Sequence, residues 1–169
     1  MKTLCLVRHA KSSWADPSLT DFERPLNNRG KRDAPFMGKR LLRANLTPSI
    51  IVSSPARRAR DTARMIAREI GFDKKKIDYR EEIYHADEPA ALLEVVSTRD
   101  PAVETMVLVG HNFVITECAE QLTGVSIASI PTCGIVAIVF DCHDWREVRP
   151  ARGRLLFFDY PKLHSSRSR

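Results

Sequence analysis

Three short apolar runs stop abruptly at polar residues: Leu4-Cys5-Leu6-Val7, Ile50-Ile51-Val52 and Met106-Val107-Leu108-Val109. Apolar runs of this length, bounded by turn signals, are buried strands. They predict strands over 2–8, 49–53 and 105–109. Helical spacing fills the intervals. Asn27 or Asn28 caps a helix to about Arg43, with Ala34, Met37, Leu41 and Leu42 inward and Lys31, Lys39, Arg40 and Arg43 on other faces. Pro35 falls in its first turns, where a missing N–H is tolerated. Ser54 as N-cap and Pro55 at the first helical position open a second helix, which Gly71 ends after Ile70.

Ile77 to Arg80 forms a short strand. His85 or Asp87 leads a helix with Pro89 in its first turn, Leu92, Leu93 and Val96 inward, and Asp100-Pro101 as its stop. A helix after Asn112 runs through Leu122 and closes at Gly124. Ser126 to Thr132 is a loop. Residues 134–140 and 154–158 are the last strands, with Trp145 to Val148 as a short strand between them. Strands alternating with helices predict an α/β fold, a three-layer α/β/α sandwich with a mostly parallel central sheet and helices on both faces. The expected domain is 1–161, with 162–169 a basic, flexible tail.

Residues 10–27 fit neither period. A loop of that length inside a compact domain is usually functional. Phe22 and Leu26 anchor it, which leaves Arg24 either free to point at a ligand or tying the loop down through Asp21 or Glu23.

Composition adds limits. The 169 residues are 43% hydrophobic and 28% charged, as in an ordinary globular chain. No apolar run reaches membrane-spanning length, and Arg8 cuts the first run too short for a signal peptide, so a cytoplasmic location is expected. The four cysteines form no CxxC pair and read as buried free thiols. No spacing of His, Cys and carboxylates matches a metal site. The net charge of +6 admits nucleic acid, acidic ligands or phosphate. The cations are dispersed over several helices without interleaved aromatics, which argues against specific nucleic-acid binding.

The chemistry gathers at the strand ends. The first gives Arg8-His9, the second Ser54-Pro55 with Arg57-Arg58, the third Gly110-His111. Parallel strands bring these ends to one sheet edge, where open α/β sheets bind ligands. Two arginines, two histidines and helix N-termini describe an anion pocket, with phosphate the natural occupant. On the second helix Ala59, Ala63, Ile66 and Ile70 share the buried face. Arg57 falls opposite them, and Arg58 lies on the flank toward the pocket, one turn before Thr62.

Arg8-His9-Ala10-Lys11-Ser12-Ser13-Trp14, Arg24-Pro25-Leu26, Arg29-Gly30, Ser54-Pro55-Ala56-Arg57-Arg58-Ala59 with Thr62, and Val109-Gly110-His111-Asn112 resemble the histidine phosphatase superfamily, in its SixA-type phosphohistidine phosphatase branch. The resemblance implies a phosphoglycerate-mutase-like fold and a phosphatase that needs no metal or other cofactor. His9 would be the nucleophile, forming a phosphohistidine. Arg8, Arg58 and His111 would hold the phosphoryl group, and Arg24 would reach over from the long loop. Lys11 and Asn112 are further candidate substrate contacts, Lys11 standing either at the pocket rim or in solvent. Trp14 either stacks at the pocket mouth or anchors the loop. His85, His143 and His164 read as ordinary surface residues. The superfamily usually has glycine at Ala10, which alanine replaces comfortably if φ is negative.

No residue presents itself as the general acid; Glu81, Glu82, His85 and Asp87 are all available. That favours a phosphohistidine substrate, because a leaving imidazole needs less proton assistance than an alkoxide. The expected substrate is therefore a phosphorylated protein. A small-molecule phosphomonoester is the alternative, and a non-catalytic phospho-ligand module the third reading.

Overall fold

The computed structural model describes residues 1–165. β1 (Lys2–Arg8) is followed by the long loop, which carries one turn of 3-10 helix at Asp21–Glu23. Then come α1 (Asn28–Arg43), β2 (Ile50–Ser53), α2 (Arg57–Ile70), β3 (Asp78–Tyr79), α3 (Glu81–His85), α4 (Pro89–Ser97), β4 (Thr105–Gly110), α5 (Val114–Thr123), β5 (Ile135–Phe140), β6 (Arg154–Asp159) and α6 (Lys162–Ser165). The sheet order is β3-β2-β4-β1-β5-β6. β1, β2, β3 and β4 run parallel, while β5 and β6 pair antiparallel.

The period-two alternation of a strand sorts side chains between two cores. Leu4, Leu6, Met106, Leu108, Val136 and Ile138 face α4 and α5. Cys5, Val7, Val107, Val109, Ile135 and Ala137 face α1 and α2. Strands covered on both faces read as continuous apolar runs, which is why the sequence showed no alternation there. The two helices on the second face approach closely at Gly38, where a Cβ would come 2.9 Å from the Glu69 Cβ.

Most predicted boundaries agree with the structure. Asn27 caps α1 by accepting from the Gly30 N–H at 2.9 Å. Gly71 and Gly124 close α2 and α5 in the left-handed conformation.

Four expectations need correction. α2 starts at Arg57 with Ala56 as its cap; Ser54 lies ahead of the helix, its Oγ accepting from the Ala56 N–H and standing 2.8 Å from His111 Nε2. The helix expected after His85 or Asp87 is α4, but Glu88 is its cap, and an unexpected short helix, α3, precedes it. Trp145–Glu147 is a 3-10 turn rather than a strand. A reciprocal capping box between Asp144 and Glu147 winds it, and the buried Trp145 donates from Nε1 to the Val103 carbonyl at 2.9 Å. The start of the expected tail is helical, and His164, expected as an ordinary surface residue, is half-buried with Nε2 2.6 Å from Asp159 Oδ1. Residues 166–169 of that tail lie outside the described residues. All four cysteines are free and buried. Among the described residues no helix is long and apolar enough to cross a membrane.

Candidate active site

Strand register brings the three ends together. Arg8 pairs with Gly110 across β1 and β4, and Ser53 with Val109 across β2 and β4. The next residues continue the ladder: the His9 N–H donates to the Gly110 carbonyl at 3.0 Å, and the Ser54 N–H to the Val109 carbonyl at 3.0 Å. His9 and His111 therefore emerge side by side, ring centroids 5.2 Å apart.

His9 is 8% exposed. Its Nδ1 lies 2.7 Å from the Ala10 carbonyl oxygen. A carbonyl only accepts, so Nδ1 carries the proton and the lone pair of the neutral ring is on Nε2. The Ala10 peptide is itself held, because its N–H donates to Thr62 Oγ1 at 2.9 Å. The same hydroxyl donates to the Arg58 carbonyl at 2.7 Å, tying the His9 loop to α2. Burial pushes the His9 pKa down to about 3, with help from His111, Arg58 and Arg8 and against the bond to Ala10. Burial, and then Arg58, take His111 down to about 4. Both rings are neutral at pH 7.

Arg58 is 6% exposed, whereas Arg57 lies half in solvent near Asp61, so the helix face chose between them as the sequence indicated. Arg58 Nη1 donates to the Asp21 carbonyl at 2.6 Å and Nη2 to Asp21 Oδ2 at 3.0 Å. The Tyr84 hydroxyl also donates to Asp21 Oδ2, at 2.8 Å. Arg24 is buried: Nη1 donates to Ser12 Oγ at 3.0 Å, Nε lies 3.4 Å from Asp21 Oδ1, and its guanidinium sits 3.5 Å from the centroid of the exposed Trp14 ring. Asp21 is thus the hub of the long loop. Burial raises its pKa, but the bonds from Tyr84 and Arg58 and the charges of Arg58 and Arg24 outweigh that and hold the carboxyl below its ordinary value.

Arg8 Nη1 donates to the Ile130 carbonyl at 2.9 Å. Arg8 Nε, Arg58 Nε and His111 Nδ1 are buried without a hydrogen-bond partner. Buried orphan groups cost roughly 1–3 kcal/mol each, and three within one cationic cluster suit an anionic ligand. His111 Nε2 lies 2.8 Å from Ser54 Oγ, whose oxygen accepts from the Ala56 N–H at 3.2 Å; with the serine hydroxyl donating to Nε2, the ring proton sits on Nδ1, free for an anion.

Arg8, His9, Arg58 and His111 form one cluster, with Arg24 joined to it through Asp21. Lys11 lies beside it, lining a neighbouring cavity together with Arg8. Asn112 differs from the expectation: Nδ2 donates to Ser129 Oγ at 2.9 Å and to the Ile130 carbonyl at 3.3 Å, and Oδ1 accepts from Thr116 Oγ1. Its amide fixes the 126–132 loop, including the Ile130 carbonyl that holds Arg8, and so acts behind the site. Glu81, Glu82, His85 and Asp87 are all exposed. His85 pairs with Glu81 at 3.7 Å, and Glu82 and His85 line a cavity of about 420 Å³ that none of the cluster residues reaches.

Sequence reasoning overlooked Ser54 and Tyr84, and saw Asp21 only as a partner for Arg24, not for Arg58. Asp21 had one available signal, its spacing of three from Arg24. Tyr84 had none, since its partner is distant in sequence. Among the described residues no group of three or more His, Cys, Asp or Glu side chains could hold a metal ion.

The chain matches the sequence profile of the histidine phosphatase superfamily (branch 1) over residues 4–87. It is 31% identical over 155 residues to an uncharacterized chloroplastic protein of Arabidopsis thaliana, covering 86% of this chain and 70% of that one. It is 32% identical over 168 residues to an uncharacterized protein of Mycobacterium tuberculosis (strain ATCC 25618 / H37Rv), covering 92% and 100%. A crystal structure from Agrobacterium tumefaciens, assigned as a phosphohistidine phosphatase SixA, superposes with a TM-score of 0.78 at 28% identity, covering 95% of this chain and 98% of that one. With its strand-end arginines and histidines on this scaffold, the chain belongs to the histidine phosphatase superfamily and to its SixA-type branch.

Proposed function

We propose that this protein hydrolyses a phosphoryl group through a covalent intermediate on His9, and that its substrate is phosphohistidine in a protein. The tautomer lock carries the reading. The Ala10 carbonyl takes the Nδ1 proton, so the free lone pair is on Nε2 of a ring that stays neutral. A non-catalytic binding module has no use for a nucleophile held ready in this way.

Nε2 attacks phosphorus in line as the substrate's P–N bond breaks; the substrate imidazole, protonated on its other nitrogen, takes the bonding pair and leaves as the neutral ring. Arg8 and Arg58 neutralise the non-bridging oxygens with charge-assisted bonds, and His111 adds a neutral one. Water then attacks the phosphorus and His9 leaves as the neutral imidazole. Arg24 meets the phosphoryl group from the loop side. Asp21 is held ionised by its arginines and serves as their anchor, not as a proton donor. No expected acid contacts the cluster, which suits a phosphoramidate better than a sugar phosphate.

The experiment uses 32P-phosphoramidate in EDTA. The expected result is an acid-labile, base-stable label on wild-type protein, absent from His9→Ala, with turnover lost by about 10⁴-fold or more. Near-normal turnover by His9→Ala overturns the mechanism. A higher kcat/KM on sugar phosphates than on a phosphohistidine protein overturns the substrate.

A further inference from the structure

A cavity of about 620 Å³ opens next to the cluster, on the α1 side of β1. Arg8 belongs to both, so whatever fills the cavity can be continuous with a group held at His9. Phe36, Pro131 and Pro161 supply an apolar floor. Phe36 is 37% exposed, and its ring is met by His164, centroids 5.5 Å apart. Asp159 fixes His164 and is itself held by Arg40 Nε at 2.9 Å.

The rim is cationic. Arg8, Lys11, Arg29, Arg32 and Lys162 line the cavity against one carboxylate, Asp33. Arg29 is partly engaged, donating from Nη2 to Thr132 Oγ1 at 3.1 Å and standing 3.9 Å from Asp33. Arg32 and Lys162 are exposed and, among the described residues, enter no ion pair. Two of these cations sit in the opening turns of α1, whose first turn carries no acid. A helix dipole favours the opposite sign there. Charge placed against that local preference, with the floor beneath it, marks a surface arranged for an anionic partner rather than for fold stability.

We propose that this cavity docks an acidic segment of the phosphoprotein, flanking the phosphohistidine. The inference rests on the substrate reading above. Glutamate or aspartate side chains would meet Arg32 and Lys162, and the peptide's apolar atoms would lie on Phe36 and the prolines.

Two synthetic peptides, chemically phosphorylated on their single histidine, test it: one flanked by glutamates, one by glutamines. At low ionic strength the wild type should prefer the acidic peptide by about tenfold or more in kcat/KM, a preference that salt erodes. Arg32→Glu combined with Lys162→Glu should abolish the preference and leave hydrolysis of phosphoramidate within about twofold, since neither residue belongs to the cluster. Both side chains are exposed, and Arg32→Ala with Lys162→Ala gives a milder pair. Binding of the unphosphorylated glutamate peptide, read by NMR shifts, should weaken by about tenfold in the same variants.

Equal rates on both peptides, or a preference that survives the variants, overturns the proposal. So does tight competition by pyrophosphate with none by the glutamate peptide, which would make the cavity a small-molecule site. If phosphoramidate is not hydrolysed at all, the catalytic reading fails, and the binding arm still decides this one.

Discussion

Thr62 stands behind His9, and valine in its place separates the hydroxyl from the shape. Thr62 and Ala10 are fully buried. Valine fills the same space but leaves the Ala10 N–H without its acceptor at 2.9 Å. An unpaired buried donor costs about 1–3 kcal/mol. The Arg58 carbonyl also loses the hydroxyl at 2.7 Å, but within α2 it keeps its helical partner, so little is added there. The expected loss is about 2 kcal/mol, a fall in melting temperature of roughly 4–8 °C for a chain of this size. The second effect is kinetic. The Ala10 peptide also supplies the carbonyl that sets the His9 tautomer, so loosening it should lower kcat by about tenfold. Arg8, Arg58 and His111 remain, and inhibition by orthophosphate should stay within about twofold. Calorimetry and steady-state kinetics on Thr62→Val, with Thr62→Ser as the variant that keeps the hydroxyl, decide it. A wild-type melting point and kcat for Thr62→Val, or equal losses for both variants, refute the reasoning.

Exchanging Arg58 for lysine removes the two-pronged grip on Asp21 and should cut kcat/KM on phosphoramidate by about 10²-fold, while Arg57→Lys stays within twofold; similar effects at both positions would return the choice of arginine to open question. The two histidines make stability pH-dependent. Their folded pKa values, about 3 and about 4, lie below the ordinary 6.5, so the unfolded chain takes up protons first as pH falls. Their contribution is full above pH 6.5 and declines toward pH 4; at pH 5 each has given up about 2 kcal/mol, which urea titrations at pH 7 and pH 5 would register. No loss of stability between those pH values would mean that neither ring is held neutral. At Gly30, a Cβ would lie 2.2 Å from the Lys11 carbonyl oxygen, so Gly30→Ala should cost about 1–3 kcal/mol and displace the loop; unchanged melting and activity would contradict that packing.

Local signals made much of this legible. Helix caps such as Asn27, Gly71 and Gly124 act within a few residues, and the strand ends at Arg8, Ser53 and Gly110 follow from where apolar runs stop. The choice of Arg58 over Arg57 followed from helical phase alone. What escaped depends on partners remote in sequence. The run 134–140 announces a strand but not its direction, and β5 is antiparallel because it returns beside β1 from the opposite end of the sheet. Ser54 carries the composition of an N-cap, yet His111, 57 residues away, claims its hydroxyl. Asn112 sits beside a site histidine in sequence, but its amide turns toward Thr116 and Ser129.

β1 is bracketed by strands on both sides, β4 and β5, and Leu4 to Val7 are wholly buried. Amides there should exchange with deuterium only through global unfolding. The loop 10–27 is fastened differently, by the Ser12 to Leu26 bridge, the Ser13 N–H on the Pro25 carbonyl at 2.8 Å, and Asp21 on Arg58 and Tyr84. The candidate site therefore has one half set in the sheet ladder and one half held by loop bonds and side-chain contacts. A substrate too large for the mouth as it stands would have to displace the segment that brings Arg24, and the bonds of Asp21 to Arg58 and Tyr84 are the ones it would break first.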